Sequence, residues 1–504
     1  MAERVSPLEM TPDQFRRAGH EVVERIAELL ATIRTRPITN GETPAQIRAL
    51  LGRRPLPRSG ADPARLLGET APLLLEHSLF NGHPRFMGYI TSSAAPIGML
   101  ADALAAAINP NVGGWELSPI AAEIEAETVR WIAELVGYPV DCGGLLVSGG
   151  NMANFICFLA GRRAMLGEAP RTAGLAGAGA TRLRVYASEG THTWIQKAAD
   201  LFGLGTDAVR WIATDDGHRL RVDRLRESIR ADRAGGDTPI MVIGTAGTVS
   251  TGAVDPLRGL AAVCREERLW FHVDGAYGAP AAVLPDAPED LKSLALADSL
   301  AVDPHKWLYA PLEAGCVLVR DPRRLPEAFG YHPTYYHFET EGDEPPINYY
   351  ELGLQNSRGF RALKVWLVIR QAGREGYVRM IGDDCRLAGL LHRAAADHPE
   401  LEALSLGLSI ATFRYVPADL GAGPAGAEAY LDELNEAVLQ RLKTGGEMFV
   451  TNALVGGHFA LRACIVNFRT TEADVAMIPE IVARAGRALD ADLRPTALRA
   501  PATR

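Results

Sequence analysis

The stretch Ala301-Val302-Asp303-Pro304-His305-Lys306-Trp307 constrains this chain more than any other. It follows an apolar run through Leu300 and precedes a second, Ala314-Gly315-Cys316-Val317-Leu318-Val319. A lysine between His and Trp at the end of a buried strand is badly placed to be a solvated cation. Burial disfavours the ammonium, so the expectation is a lysine of lowered pKa. Its neutral amine can then form an imine. Taken alone, the same letters would also describe a surface lysine after a strand.

A second stretch upstream bears on that choice: Trp270-Phe271-His272-Val273-Asp274-Gly275-Ala276-Tyr277-Gly278. An aspartate ending an apolar strand sits at the carboxyl edge of an open α/β sheet, where such sheets bind ligands. Its carboxylate can pair with a protonated pyridine nitrogen. An imine-forming lysine with a pyridinium partner is the combination that pyridoxal phosphate chemistry uses.

Together, His272-Val-Asp-Gly-Ala-Tyr-Gly278 and Asp303-Pro-His-Lys-Trp307 resemble the group II pyridoxal-phosphate-dependent amino-acid decarboxylases, the aromatic-L-amino-acid decarboxylase type. The resemblance runs from about Thr11 to about Leu493. It implies an α/β protein of fold type I, with a mostly parallel seven-stranded sheet in a large domain, an N-terminal helical segment and a small α+β C-terminal domain. The expected limits are 1–85 for a segment packed on a dimer partner, 86–360 for the large domain with a mobile catalytic loop at about 330–350, and 361–504 for the small domain. The implied cofactor is pyridoxal 5'-phosphate. The implied reaction is decarboxylation of an L-amino acid, with an aromatic substrate expected, to amine and CO2 in a homodimer with shared active sites. An oxidative branch yielding an aldehyde and a non-aromatic substrate stay open. A degenerate, non-catalytic relative would have lost Lys306 or Asp274, and both are present.

The remaining site residues follow from local patterns and from that family. Leu145-Leu-Val-Ser-Gly149-Gly150-Asn151 is a short apolar strand, two glycines and a helix start. Small residues and a helix N-terminus suit a phosphate, although a tight turn needs the same letters. The resemblance assigns the cradle to Gly149, Gly150 and Asn151. It implies that His192 stacks on the pyridine ring, where it could relay a proton near Cα, the alternative being a helix cap. Thr245 and Thr248 either hydrogen-bond the cofactor or form the turn, and Val249 stands where relatives often have a further threonine. Ala276 is expected on the ring face opposite His192, and His305 at the phosphate. Asp303 would repel a phosphate dianion unless hydrogen-bonded outward, and it receives no role. Tyr89 and Thr91 either face substrate or pack at a domain start, and Trp115 is a further substrate-binding candidate. The aromatic that aromatic-specific relatives often carry near Gly113 is absent, which is expected to enlarge the pocket or change its preference. Tyr335 falls on the family's loop tyrosine, with Tyr336 next to it leaving the register open by one.

Composition closes other avenues. The 504 residues carry a net charge of −9, against the basic face of a nucleic-acid binder. No apolar run approaches the ~18 residues of a membrane span, and the first residues lack a signal peptide's apolar segment. Six scattered cysteines suggest neither disulfides nor a metal site. A cytoplasmic soluble protein is expected. Thr11-Pro12-Asp13-Gln14 signals a capped helix with Phe15, Val22, Ile26, Leu29 and Ile33 as its stripe. Ser118 is expected to cap a helix that Pro119 opens. Strands are expected near 183–187, 209–213, 239–244, 269–273, 298–302 and 315–319, with helices between them, the signature of a largely parallel sheet. Residues 171–180 are expected to form a surface loop, and 408–415 and 458–467 to be the C-terminal strands. Arg358 and Arg361 read as a structural or solvated helix start.

Overall fold

The computed structural model describes residues 6–180, 182–331, 346–420 and 426–499. Seven strands form one sheet: β1 (Gly143–Val147), β2 (Leu183–Ser188), β3 (Val209–Ile212), β4 (Thr238–Thr245), β5 (Trp270–Asp274), β6 (Ser299–Val302) and β7 (Gly315–Val319). Their order is β1-β7-β6-β5-β4-β2-β3. The apolar runs read from sequence coincide with β2 to β7 to within a residue and with the last three residues of β1, because the central strands are covered on both faces and largely apolar. The pairs from β3 through β2, β4 and β5 to β6 are parallel. Only β7 runs against its neighbours β1 and β6. The carboxyl ends of β1, β2, β4, β5 and β6 therefore share one edge with the start of β7. Register sharpens this: Thr245 lies opposite Asp274, and Asp274 opposite Ala301.

A second, antiparallel sheet has the order β10-β11-β9-β8, from β8 (Leu401–Gly407), β9 (Ile410–Tyr415), β10 (Thr451–Val455) and β11 (His458–Cys464). Sequence reading anticipated only β9 and β11, which are largely buried. The missed pair are the edge strands, each with several solvent-facing residues and no unbroken apolar run. The dipeptide Gly456-Gly457, with φ of 60° and 88°, is the hairpin signal that could have found β10. The helix Ala362–Ala396 breaks at Gly373 (φ 61°). It packs on the helices Pro96–Ile108 and Pro119–Leu135 and on β8 and β9, joining the two sheets.

Two local expectations are corrected. Residues 169–177 are helical, kinked at Gly174, because Pro170 suits a first turn and alanines favour helix over loop. Ser118 precedes its helix but does not cap it; its hydroxyl donates to the Asn111 carbonyl at 2.9 Å. At the N-terminus, Thr11 and Gln14 form the full capping box of the helix Pro12–Thr32. Of that helix only Ala18 is buried, and Phe15 and Ile26 of its stripe are exposed.

Arg358 is buried and structural. Its Nη2 donates to Glu125 Oε1 and to the Leu146 carbonyl at 2.6 Å, and its Nη1 to the Val112 carbonyl at 2.9 Å. Glu125 Oε1 also accepts from Leu146 N at 2.8 Å, so one ion pair ties the 109–115 loop to β1. Arg358→Ala would strand Glu125 as a buried unpaired charge and should lower unfolding free energy by about 3–5 kcal/mol in urea titrations. Arg358→Met combined with Glu125→Gln should lose clearly less.

Candidate active site

The turn after β1 is built for close approach. Gly149 has φ 117°, open to glycine, and Gly150 begins the helix Gly150–Leu166. A Cβ on Gly150 would lie 2.6 Å from Asp303 Oδ2, and one on Gly149 would lie 3.2 Å from His305 Cε1. Ala153 N bonds back to Gly149 O at 3.0 Å. The N–H groups of Gly150, Asn151 and Met152 thus have no carbonyl of their own helix, and they carry its positive end.

This turn forms one side of a cavity of ≈ 360 Å³ along the carboxyl edge of the sheet. Gly149, Gly150, Asn151, His192, Thr245, Asp274, Ala276, His305 and Lys306 are all brought to it. Asp274 ends β5 almost buried; Trp194 Nε1 donates to its Oδ2 at 2.8 Å and Ala276 N to its Oδ1 at 3.2 Å. His192 leads into the helix Trp194–Leu201, and its Nδ1 accepts from Trp194 N at 3.3 Å. The helix cap is Thr193, so His192 is not the cap, although its ring accepts from the helix's first N–H and lines the cavity. His192 is exposed as a residue, yet desolvation holds its pKa below the ordinary value.

Lys306 departs from expectation. Its Nζ lies 2.9 Å from Asp303 Oδ2. Burial alone would lower its pKa, but the charge and hydrogen bond of Asp303, with Asp274 beyond, outweigh burial and raise it. The lysine is held as an ammonium, because the buried aspartate three residues earlier faces its half-buried amine. His305 Nε2 is 3.8 Å from the same carboxylate, its Nδ1 faces the Ala314 carbonyl at 2.7 Å, and Ser92 Oγ donates to its own carbonyl at 2.9 Å.

Other anticipated residues lie elsewhere. The Thr248 hydroxyl is used by its turn, 3.0 Å from Thr251 Oγ1 and accepting from Ala253 N at 3.1 Å, whereas Val249 does line the cavity. Tyr89 is exposed, with φ 52° and its ring 6.2 Å from that of Phe449. Trp115 donates its indole N–H to Glu123 at 2.7 Å. Neither they nor Thr91 lines this cavity. Gly113 itself leaves no room for a side chain, since a Cβ would sit 2.0 Å from the Asn356 carbonyl oxygen. Tyr335 and Tyr336 lie outside the described residues.

Sequence reading passed over Trp194, Asn154 and Tyr277. Asn154 lines the cavity and meets His272 Nε2 at 2.7 Å, while His272 Nδ1 meets Ser299 Oγ at 2.9 Å. Burial pulls His272 down to about 4, so it stays neutral. Trp194, two residues past His192, was legible only as helix.

The residues fit pyridoxal phosphate. Asp274 would face the pyridine nitrogen, the Gly149–Asn151 turn and His305 the phosphate, and Lys306 the aldehyde. Asp303 is the exception, an acid at the cradle with Oδ1 lacking any partner. Lys306→Ala should abolish visible cofactor absorbance and turnover; a borohydride-reducible link at another lysine would contradict the anchor. Gly150→Ala should weaken cofactor affinity by at least about tenfold in absorbance titrations, through the forced shift of Asp303.

Comparisons with known proteins converge on the same chemistry. A family model described as the pyridoxal-dependent decarboxylase conserved domain matches residues 47–416. The chain is 31% identical over 477 residues to an aromatic-L-amino-acid decarboxylase of Bacillus atrophaeus, covering 94% of this chain and 95% of that protein. It is 28% identical over 477 residues to a phenylacetaldehyde synthase of a Rosa hybrid cultivar, covering 92% of each. A crystal structure of Oryza sativa TDC with PLP and tryptamine superposes with a TM-score of 0.88 at 27% identity, covering 96% of this chain and 100% of that one. The chain belongs to the pyridoxal-dependent decarboxylases, and it is a pyridoxal-phosphate-dependent amino-acid carboxy-lyase.

Proposed function

We propose that the protein removes the α-carboxylate of an aromatic L-amino acid and releases the amine. The observation that carries this reading is a single cavity with Asp274 and Lys306 both on its lining and an apolar rim of Ile90, Val249 and Leu312. Such a rim suits a substrate side chain that gains from leaving water. The names borne by the Bacillus relative and the rice structure support the same substrate class.

Bound here, pyridoxal phosphate supplies an aldehyde for the substrate amine and a ring that accepts the electron pair left by CO2. The protein's own residues orient and protect. Asp274 keeps the proton on the pyridine nitrogen, and Trp194 keeps Asp274 aimed. Lys306 would hold the cofactor through its aldehyde, His192 would cover the bound ring, and the small Ala276 would leave room beside it. A tyrosine hydroxyl at 335 or 336 returns the proton to Cα.

The protein acts as a homodimer. Leu100, Leu104 and Ile108 form an exposed stripe at helical spacing, near-continuous in sequence with exposed Leu117 and Ile120. Phe15, Leu50, Leu51, Leu66, Leu67 and Leu74 expose more apolar surface on the N-terminal helices. So much uncovered apolar area supports that reading. Six free cysteines suit the reducing cytoplasm.

An aldehyde product is the second reading, favoured by the likeness to a phenylacetaldehyde synthase. A panel of amino acids assayed together for CO2, amine and aldehyde separates the two. Amine should equal CO2, with aromatic substrates fastest. Tyr335→Phe should slow amine release and divert flux to aldehyde, hydrogen peroxide and ammonia, with cofactor binding intact. If Tyr336→Phe does this instead, the loop register shifts by one. If neither variant nor their combination changes the product ratio, the proton comes from elsewhere.

A further inference from the structure

We infer that Asp384 is a positioning residue for Lys306, acting through Trp307 and Tyr309. The inference rests on the reading that Lys306 anchors the cofactor.

Asp384 belongs to the helix Ala362–Ala396, well apart in sequence from the lysine loop, and is 2% exposed. Its Oδ2 accepts from Trp307 Nε1 at 2.8 Å and from Tyr309 OH at 2.6 Å. One carboxylate oxygen thus grips the residues one and three places after Lys306. Tyr309 has φ 58°, a left-handed conformation that strains a bulky residue. That strained residue donates its backbone N–H to the Lys306 carbonyl at 3.2 Å. Holding Tyr309 in place therefore holds the lysine's own peptide. The Trp307 ring stacks on Tyr277 with centroids 4.9 Å apart, and Tyr277 lines the cavity. From the β8–β9 turn, Ser409 Oγ meets the Tyr277 hydroxyl at 2.6 Å, so that wall is also tied to the second sheet.

A carboxylate this buried is a poor choice for stability alone. Among the described residues no Lys, Arg or His forms an ion pair with it. The groups around it are Tyr309 and Trp307 from the loop, the Asn467 backbone, Asp383 and Cys385 from its own helix, and Cys464 of β11, with Tyr377 behind Tyr309. Burial pushes its pKa up to about 7. A carboxyl raised in the fold binds a proton that the unfolded chain does not. Its stabilising share is full below the ordinary value of 3.8 and is lost as pH rises through about 7. The ionised form, the stronger acceptor, is therefore the costly one for folding.

The test compares full-length wild type with Asp384→Asn, Trp307→Phe and Tyr309→Phe, following cofactor release from holoenzyme by visible absorbance between pH 6 and 9. Asp384→Asn should release cofactor about tenfold faster or more at pH 8. Wild-type release should quicken as pH falls through about 7, and this step should vanish in Asp384→Asn. Each Phe variant should show part of the effect, adding less than fully to Asp384→Asn. The cofactor-free Asp384→Asn chain should melt no lower than wild type at pH 8. Wild-type release with the pH step intact would overturn the inference. So would faster release accompanied by a lower melting temperature, which would make Asp384 a structural residue only. Lys306→Ala is run alongside: if it keeps the covalent absorbance, the reading of the anchor fails, and Asp384 has nothing to position.

Discussion

The site depends on a carboxylate that the fold buries at the end of β5. Placing the charge of Asp274 out of water costs several kcal/mol unless hydrogen bonds answer it. Here they come from the Trp194 indole and the Ala276 amide, both neutral. The charge is thus solvated by dipoles and not cancelled by a cation, which leaves it able to stabilise one that arrives with the cofactor. This works only because Trp194 follows β2 and Asp274 ends β5, and parallel pairing through β4 brings both to one edge. The neutral His272 beneath, edge-on to Trp194 with centroids 5.5 Å apart, supports the indole.

Three buried acids surround the lysine loop, and their roles differ by what answers them. Asp274 is answered by dipoles, Asp303 by the Lys306 ammonium, and Asp384 by an indole and a phenol. The pairing of Asp303 with Lys306 explains why the amine is charged where burial alone would neutralise it. For Lys306 to serve as the proposed cofactor anchor, its ammonium would have to give up a proton, and Asp303, at 2.9 Å, is the adjacent acceptor.

Much of this was legible in the sequence, for physical reasons particular to each element. The central strands read clearly because both faces are covered and most residues are apolar, and the glycine turn read because no other residue type fits it. Asp274 and Lys306 stood out as charges placed where charge is costly. What stayed hidden depends on partners distant in sequence. Trp194 looked like a helix residue until sheet order placed it on Asp274. Asp384 looked like one of three acids on a long helix. Thr248 and Thr245 are indistinguishable as letters, yet one hydroxyl serves the turn and the other residue lines the cavity. The edge strands β8 and β10 carried too little apolar pattern to be seen.

The central claim is that Asp274 exists to keep the pyridine nitrogen protonated. Nitrogen-15 NMR of holoenzyme loaded with ring-labelled cofactor tests it directly. The account predicts a protonated-ring shift in wild type at pH 8, and an unprotonated one in Asp274→Asn with cofactor still bound. The same protonated shift in both proteins would contradict it.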